Sequence, residues 1–180
     1  MIGHRCVSRD QTVTTRRALL SAGVGSFVLT AGCIGDTADF DPVELEAGAT
    51  CEVCGMVITD HHGPAGQAFY EDDDPVTFDS VAEMVRYDQD ISISLAAGYV
   101  TDYAAFEFDI EYHDETPYMP TNTAVSVFAK IDAVIFLAES FLHGAMGVDA
   151  MPFSDEEVAA SLVEEYGGRI VQWDELPDAL

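Results

Sequence analysis

Two stretches of this chain carry full helix signatures, and they sit in matching surroundings. "FDSVAEMVRYDQD" places Ser80 before the apolar stripe Val81, Met84 and Val85, with Glu83 three residues after the serine. A serine followed at that spacing by glutamate is a capping box, and the stripe is one face of an amphipathic helix. "FSDEEVAASLVEEYGG" shows the same signs with Ser154 and Glu157, and Gly167-Gly168 close it. A phenylalanine precedes each helix, Phe78 and Phe153.

Short strand-like runs fill the rest. "QAFY" and "PVTF" flank the acidic turn "EDDD", and "GYVTDY" follows the first helix. "AAFEFDIEYH" alternates in polarity, "TAVSVFA" and "DAVIFLAES" read as a strand pair, and "RIVQW" follows the second helix. Val53 to Ile58 reads as a short strand, "HHGPAGQ" as turn, and "GAMG" as a glycine-flanked loop. Strand, strand, capped helix, strand thus occurs twice. The expected class is α+β, with an internal duplication as a hypothesis from the repeated pattern.

The N-terminal stretch reads as an address. Arg16 and Arg17 precede an uncharged stretch of 13 residues, Ala18 to Thr30, and "LTAGC" follows. A helix needs roughly 20 apolar residues to span a bilayer, so this run has signal-peptide length. The paired arginines resemble a twin-arginine export signal. "LTAGC" resembles a lipobox, with Cys33 as the lipidated first residue of the mature chain. The expected organisation is a signal over 1–32, an acidic tether over 33–48 and one domain over 49–180. The location expected from it is the extracytoplasmic face of the membrane, held by lipid.

From Cys33 onward the chain has 3 Lys+Arg against 32 Asp+Glu. That charge excludes nucleic acid and bare anionic membrane as electrostatic partners. With 48% hydrophobic residues the chain can still build a core. The acidity therefore reads as a solvated surface suited to high salt, as in a halophile, where repulsion is screened within about 3 Å at 1 M.

"CEVCGM" concentrates the chemistry. Cys51, Cys54 and Met56 lie within six residues of a chain that has four cysteines. A disulfide between Cys51 and Cys54 would close too small a loop to stabilise much. A thioredoxin-type pair would open a helix, whereas "VITDHHGPAG" follows here. Zinc could use the two thiolates with His61 and His62, though adjacent histidines seldom aim at one ion. Thiolate and thioether are soft donors that select Cu(I). In an extended chain Cys54 and Met56 would point to one side. Packing alone could also account for Met56, since methionine fills core gaps.

"CEVCGMVITDHHGPAGQ" is similar to the signature of the NosL family, copper lipoproteins that assist nitrous oxide reductase in denitrification. "FDS", "VTDY", "GAMG" and "EYGGRIVQWDEL" fit the family in order. The resemblance implies a fold like that of an organomercurial-lyase domain, built from two β-β-α-β repeats. It also implies a Cu(I) metallochaperone that supplies nitrous oxide reductase or its membrane copper-delivery complex. Carried onto this chain, it points to Cys54 and Met56 as ligands, then Cys51, with His61, His62 and Met146 as further donors. His113 reads as a loop histidine, and His143 falls near the metal if the two repeats face each other. Asp79 and Asp102 read as caps. No nucleophile stands with a base and no phosphate loop is visible, so an enzyme is not expected. The competing readings are a structural zinc-binding or redox-sensing lipoprotein module, and a solute-binding lipoprotein with incidental cysteines.

Overall fold

The computed structural model describes residues 40–70 and 74–180. Arg16, Arg17, Cys33 and the acidic turn at 71–73 lie outside them. In chain order the strands and helices are β1 Gly66–Phe69, β2 Val76–Phe78, α1 Val81–Asp90, β3 Ala97–Thr101, β4 Glu111–His113, β5 Thr116–Tyr118 and β6 Phe128–Lys130. Then come β7 Ile135–Ala138, β8 His143–Gly144, β9 Gly147–Val148, β10 Met151–Phe153, α2 Glu156–Tyr166 and β11 Arg169–Val171. The class is α+β.

Three sheets form among the described residues, ordered β2-β1-β3-β6, β10-β7-β11 and β4-β5-β8-β9. In the first, β1 lies between β2 and β3, and β6 adds the far edge; in the second, β7 lies between β10 and β11, with β8 and β9 intervening in the chain before β10. Within them all pairings are antiparallel. α1 lays Val81, Met84 and Val85 on the first sheet. Two glycines make room for Met84. A Cβ at Gly66 would stand 2.8 Å from its Sδ, and one at Gly98 would stand 3.0 Å from its Cε.

β7 explains how two cores coexist. Val134, Phe136 and Ala138 join the core under α1, while Leu137 joins the core under α2 with Met151, Phe153 and Leu162. Successive strand side chains face opposite ways, so "VIFLA" is apolar throughout because both of its faces are buried.

Several expectations change here. The "TAVSVFA" and "DAVIFLAES" runs do not pair with each other. Val125–Val127 is a 3-10 turn and β6 joins β3, whereas β7 lies between β10 and β11. "AAFEFDIEYH" keeps its alternation, with Phe106, Phe108 and Ile110 packed on the second core, but only 111–113 enter a ladder. β1 begins at Gly66, inside the stretch read as turn. The second helix is capped by Asp155, whose carboxylate accepts from the Glu157 and Val158 amides, in place of Ser154. A carboxylate takes two N–H groups there and also favours the positive end of the helix dipole. From Phe40 on, the acidic segment is docked. Gln67 exchanges two hydrogen bonds with the Val43 backbone, and Leu45 is buried.

Candidate metal centre

The cysteine loop is a tight turn, and the expected strand over 53–58 is absent. Thr50 and Val57 form an isolated antiparallel bridge. Inside it the Cys51 amide donates to the Met56 carbonyl at 2.9 Å and the Gly55 amide to the Cys51 carbonyl at 2.9 Å. Gly55 has φ +73°, a conformation that glycine adopts without a steric penalty. The extended geometry expected of Cys54 and Met56 is therefore replaced by a turn. Met56 lies half-buried on its return limb.

Two bonds to β2 set the loop's position. The Glu52 amide donates to the Thr77 carbonyl and the Thr77 hydroxyl to the Thr50 carbonyl, each at 2.9 Å. This sets both thiols beside the junction of β2 and α1. There Ser80 caps α1 by accepting from the Glu83 amide, as its spacing predicts. The Glu83 side chain does not complete the capping box. It is buried and accepts the Cys51 thiol at 2.8 Å. Asp79, expected as a cap, accepts the Cys54 thiol at 3.4 Å through Oδ2. Its Oδ1 is buried without a hydrogen-bond partner. One ligand atom from each of Cys51, Cys54, Asp79 and Glu83 lies within 4.8 Å of the others.

Burial dominates the electrostatics. It pushes the Cys51 thiol well up, with the Glu83 hydrogen bond adding to the effect. It also raises Cys54 and the Glu83 carboxyl. Asp149 lies at the same helix end, where it accepts from the Val81 and Ala82 amides and from its neighbour Ala150. Its carboxyl is pushed up to about 7 by burial, against the lowering effect of those three N–H bonds. Removing charged groups from water favours their neutral forms. A cation reverses that preference by supplying the missing counter-charge. The unpartnered Asp79 oxygen, beside two thiols and a second carboxyl, fits a bound ion.

The other expected donors occupy several places. His61 is half-buried, and its carbonyl accepts the Thr121 hydroxyl. His62 gathers with Glu111 and His113, not with the cysteines. Met146 is 53% exposed at the tip of the β8–β9 hairpin and lines a cleft with Glu83 and Arg86. His143 packs its ring against Tyr118 with centroids 5.3 Å apart. Asp102 does cap, accepting from the Ala104 and Ser154 amides. Sequence reasoning read Asp79 and Glu83 as capping residues and passed over Asp149. The first two stand in "FDSVAE", where helix capping was the simpler reading of an acidic residue.

The family model for NosL matches residues 42–180. The copper-binding lipoprotein NosL of Stutzerimonas stutzeri is 30% identical over 142 residues, covering 78% of this chain and 68% of that protein. The crystal structure of the copper chaperone NosL from Shewanella denitrificans superposes with a TM-score of 0.63 at 25% identity. The match covers 75% of this chain and 94% of that one.

Proposed function

The chain belongs to the NosL family, and on that premise we propose that it is a membrane-anchored chaperone that binds Cu(I) at the cysteine loop and hands it on. The observation that carries the reading is the convergence of Cys51, Cys54, Asp79 and Glu83 around an unpartnered buried oxygen. The thiolates would hold the copper, and soft sulfur favours the +1 state. Met56, two residues past Cys54 on the same loop, would add a thioether. Cys54 is only half-buried, so an acceptor's ligand can approach the ion from solvent by way of this sulfur. Asp79 and Glu83, whose oxygens face the two sulfurs, would balance the ion's charge and hold the loop against α1. A binding role over an enzymatic one is supported by the relatives, which are named a copper-binding lipoprotein and a copper chaperone.

The acceptor we infer is nitrous oxide reductase or the membrane complex that delivers its copper, and the anchor is lipid on Cys33. The support for that anchor is the "LTAGC" motif together with the lipoprotein relative; among the described residues no helix is long and apolar enough to cross a membrane. A second reading is favoured by the two carboxylates, since two sulfurs and two oxygens make a closed four-donor zinc site.

Metal analysis of the reduced protein separates the two. The chaperone reading expects one Cu(I) per chain in competition with a strong Cu(I) chelator, and its transfer to copper-free nitrous oxide reductase. Cys54→Ser should weaken binding by 100-fold or more, about 3 kcal/mol. Met56→Leu should weaken it about tenfold with the fold intact. Tight stoichiometric zinc with no preference for copper would establish the second reading instead. Parent-like Cu(I) affinity in both variants would place the copper elsewhere.

A further inference from the structure

We propose a second metal site, separate from the cysteine loop, in which His62, Glu111 and His113 bind a divalent first-row cation of the zinc type. His62 Nε2 lies 3.1 Å and His113 Nε2 lies 3.7 Å from the same oxygen, Glu111 Oε2. All three ligand atoms fall within 4.8 Å of one another. Zinc–nitrogen and zinc–oxygen bonds of about 2.0–2.1 Å at tetrahedral angles put neighbouring donors about 3.3–3.4 Å apart. The two observed separations bracket that spacing, so a bound ion needs only small side-chain rotations. Two imidazoles and one carboxylate are borderline-to-hard donors, the opposite of the sulfur-rich loop, and they suit a divalent ion.

The donors converge because the backbone holds them. Glu111 and His113 are two residues apart on β4 and so share a face. His62 arrives from the loop before β1, which is pinned where the Gly63 amide donates to the Met119 carbonyl at 2.7 Å. Tyr118 of β5 packs against both rings, with centroids 5.2 Å from His62 and 5.4 Å from His113. The three side chains are 34%, 55% and 58% exposed, open enough for the ion to enter and for water to complete its shell. An ordinary histidine–glutamate ion pair uses one imidazole. Here a second is brought to the same oxygen.

The test titrates Zn2+ by calorimetry into full-length protein carrying Cys51→Ser and Cys54→Ser, which removes the thiol site. One equivalent should bind. Glu111→Gln should weaken binding at least tenfold, and His62→Ala with His113→Ala should abolish it while circular dichroism stays unchanged. Zinc should also raise the thermal midpoint of the thiol-free protein and not that of the histidine variant. If the thiol-free chain fails to fold, parent and histidine variant preloaded with Cu(I) give the same comparison. No zinc binding, or binding that survives loss of both histidines, overturns the proposal.

Discussion

A single thiol and its partner oxygen set the behaviour of the cysteine loop. Cys51 and Cys54 have raised pKa values, from burial first and from hydrogen bonds to Glu83 and Asp79 after it. Metal competes with protons for thiolates, so Cu(I) affinity should climb with pH across 6 to 9 with no plateau. An ordinary thiol, near 8.5, would begin to level within that range. The stability of the metal-free protein follows by linkage. A folded pKa above the unfolded value gives stability that is whole below the unfolded pKa and lost as pH rises through the folded one. Asp149, pushed up to about 7, loses its contribution between about pH 4 and 7. The thiols lose theirs above about pH 8.5. Denaturant unfolding from pH 5 to 10 should therefore show the metal-free protein weakening towards alkali, with copper restoring part of the loss. Copper affinity that is flat over this range would mean that no thiolate binds the metal.

At the level of elements, the loop before β1 is wedged against the β8–β9 hairpin. Gly63 has φ +99°, and a Cβ there would stand 2.5 Å from the Gly144 Cα, a backbone atom that cannot rotate away. Gly63→Ala should cost at least about 2 kcal/mol, combining left-handed strain with backbone overlap. Chemical denaturation measures it, and a parent-like midpoint would show that the hairpin can separate from the loop. The strand elements also show why local reading faltered around 123–140. Two apolar runs joined by a short polar link look like a hairpin. β7, however, is apolar on both faces and needs neighbours on both sides, while β6 completes the edge of the other sheet.

The whole molecule carries 33 acidic against 7 basic residues. Among the described residues, Arg169 with Glu139 is the one ion pair made by a lysine or arginine. Attraction to an anionic lipid surface therefore cannot hold this protein at a membrane, and the proposed anchor is a lipid on Cys33. Cys33→Ser should move the protein from the membrane pellet to the supernatant and leave copper binding unchanged. A parent protein found in the supernatant with an uncut N-terminus would remove the anchor. The sequence by itself determined the α+β class, both helices and most strands, because periodicity and caps are local. It determined the sulfur motif for the same reason, since Cys51, Cys54 and Met56 are neighbours in the chain. Only the tertiary structure decided what faces the thiols. Asp79 and Glu83 reach Cys54 and Cys51 across 25 and 32 residues because the loop docks on β2 at the start of α1. It likewise decided that His62 joins Glu111 and His113, across 49 and more residues. Contacts at such separations depend on which sheet edge each strand occupies, and no local pattern of residues encodes that choice.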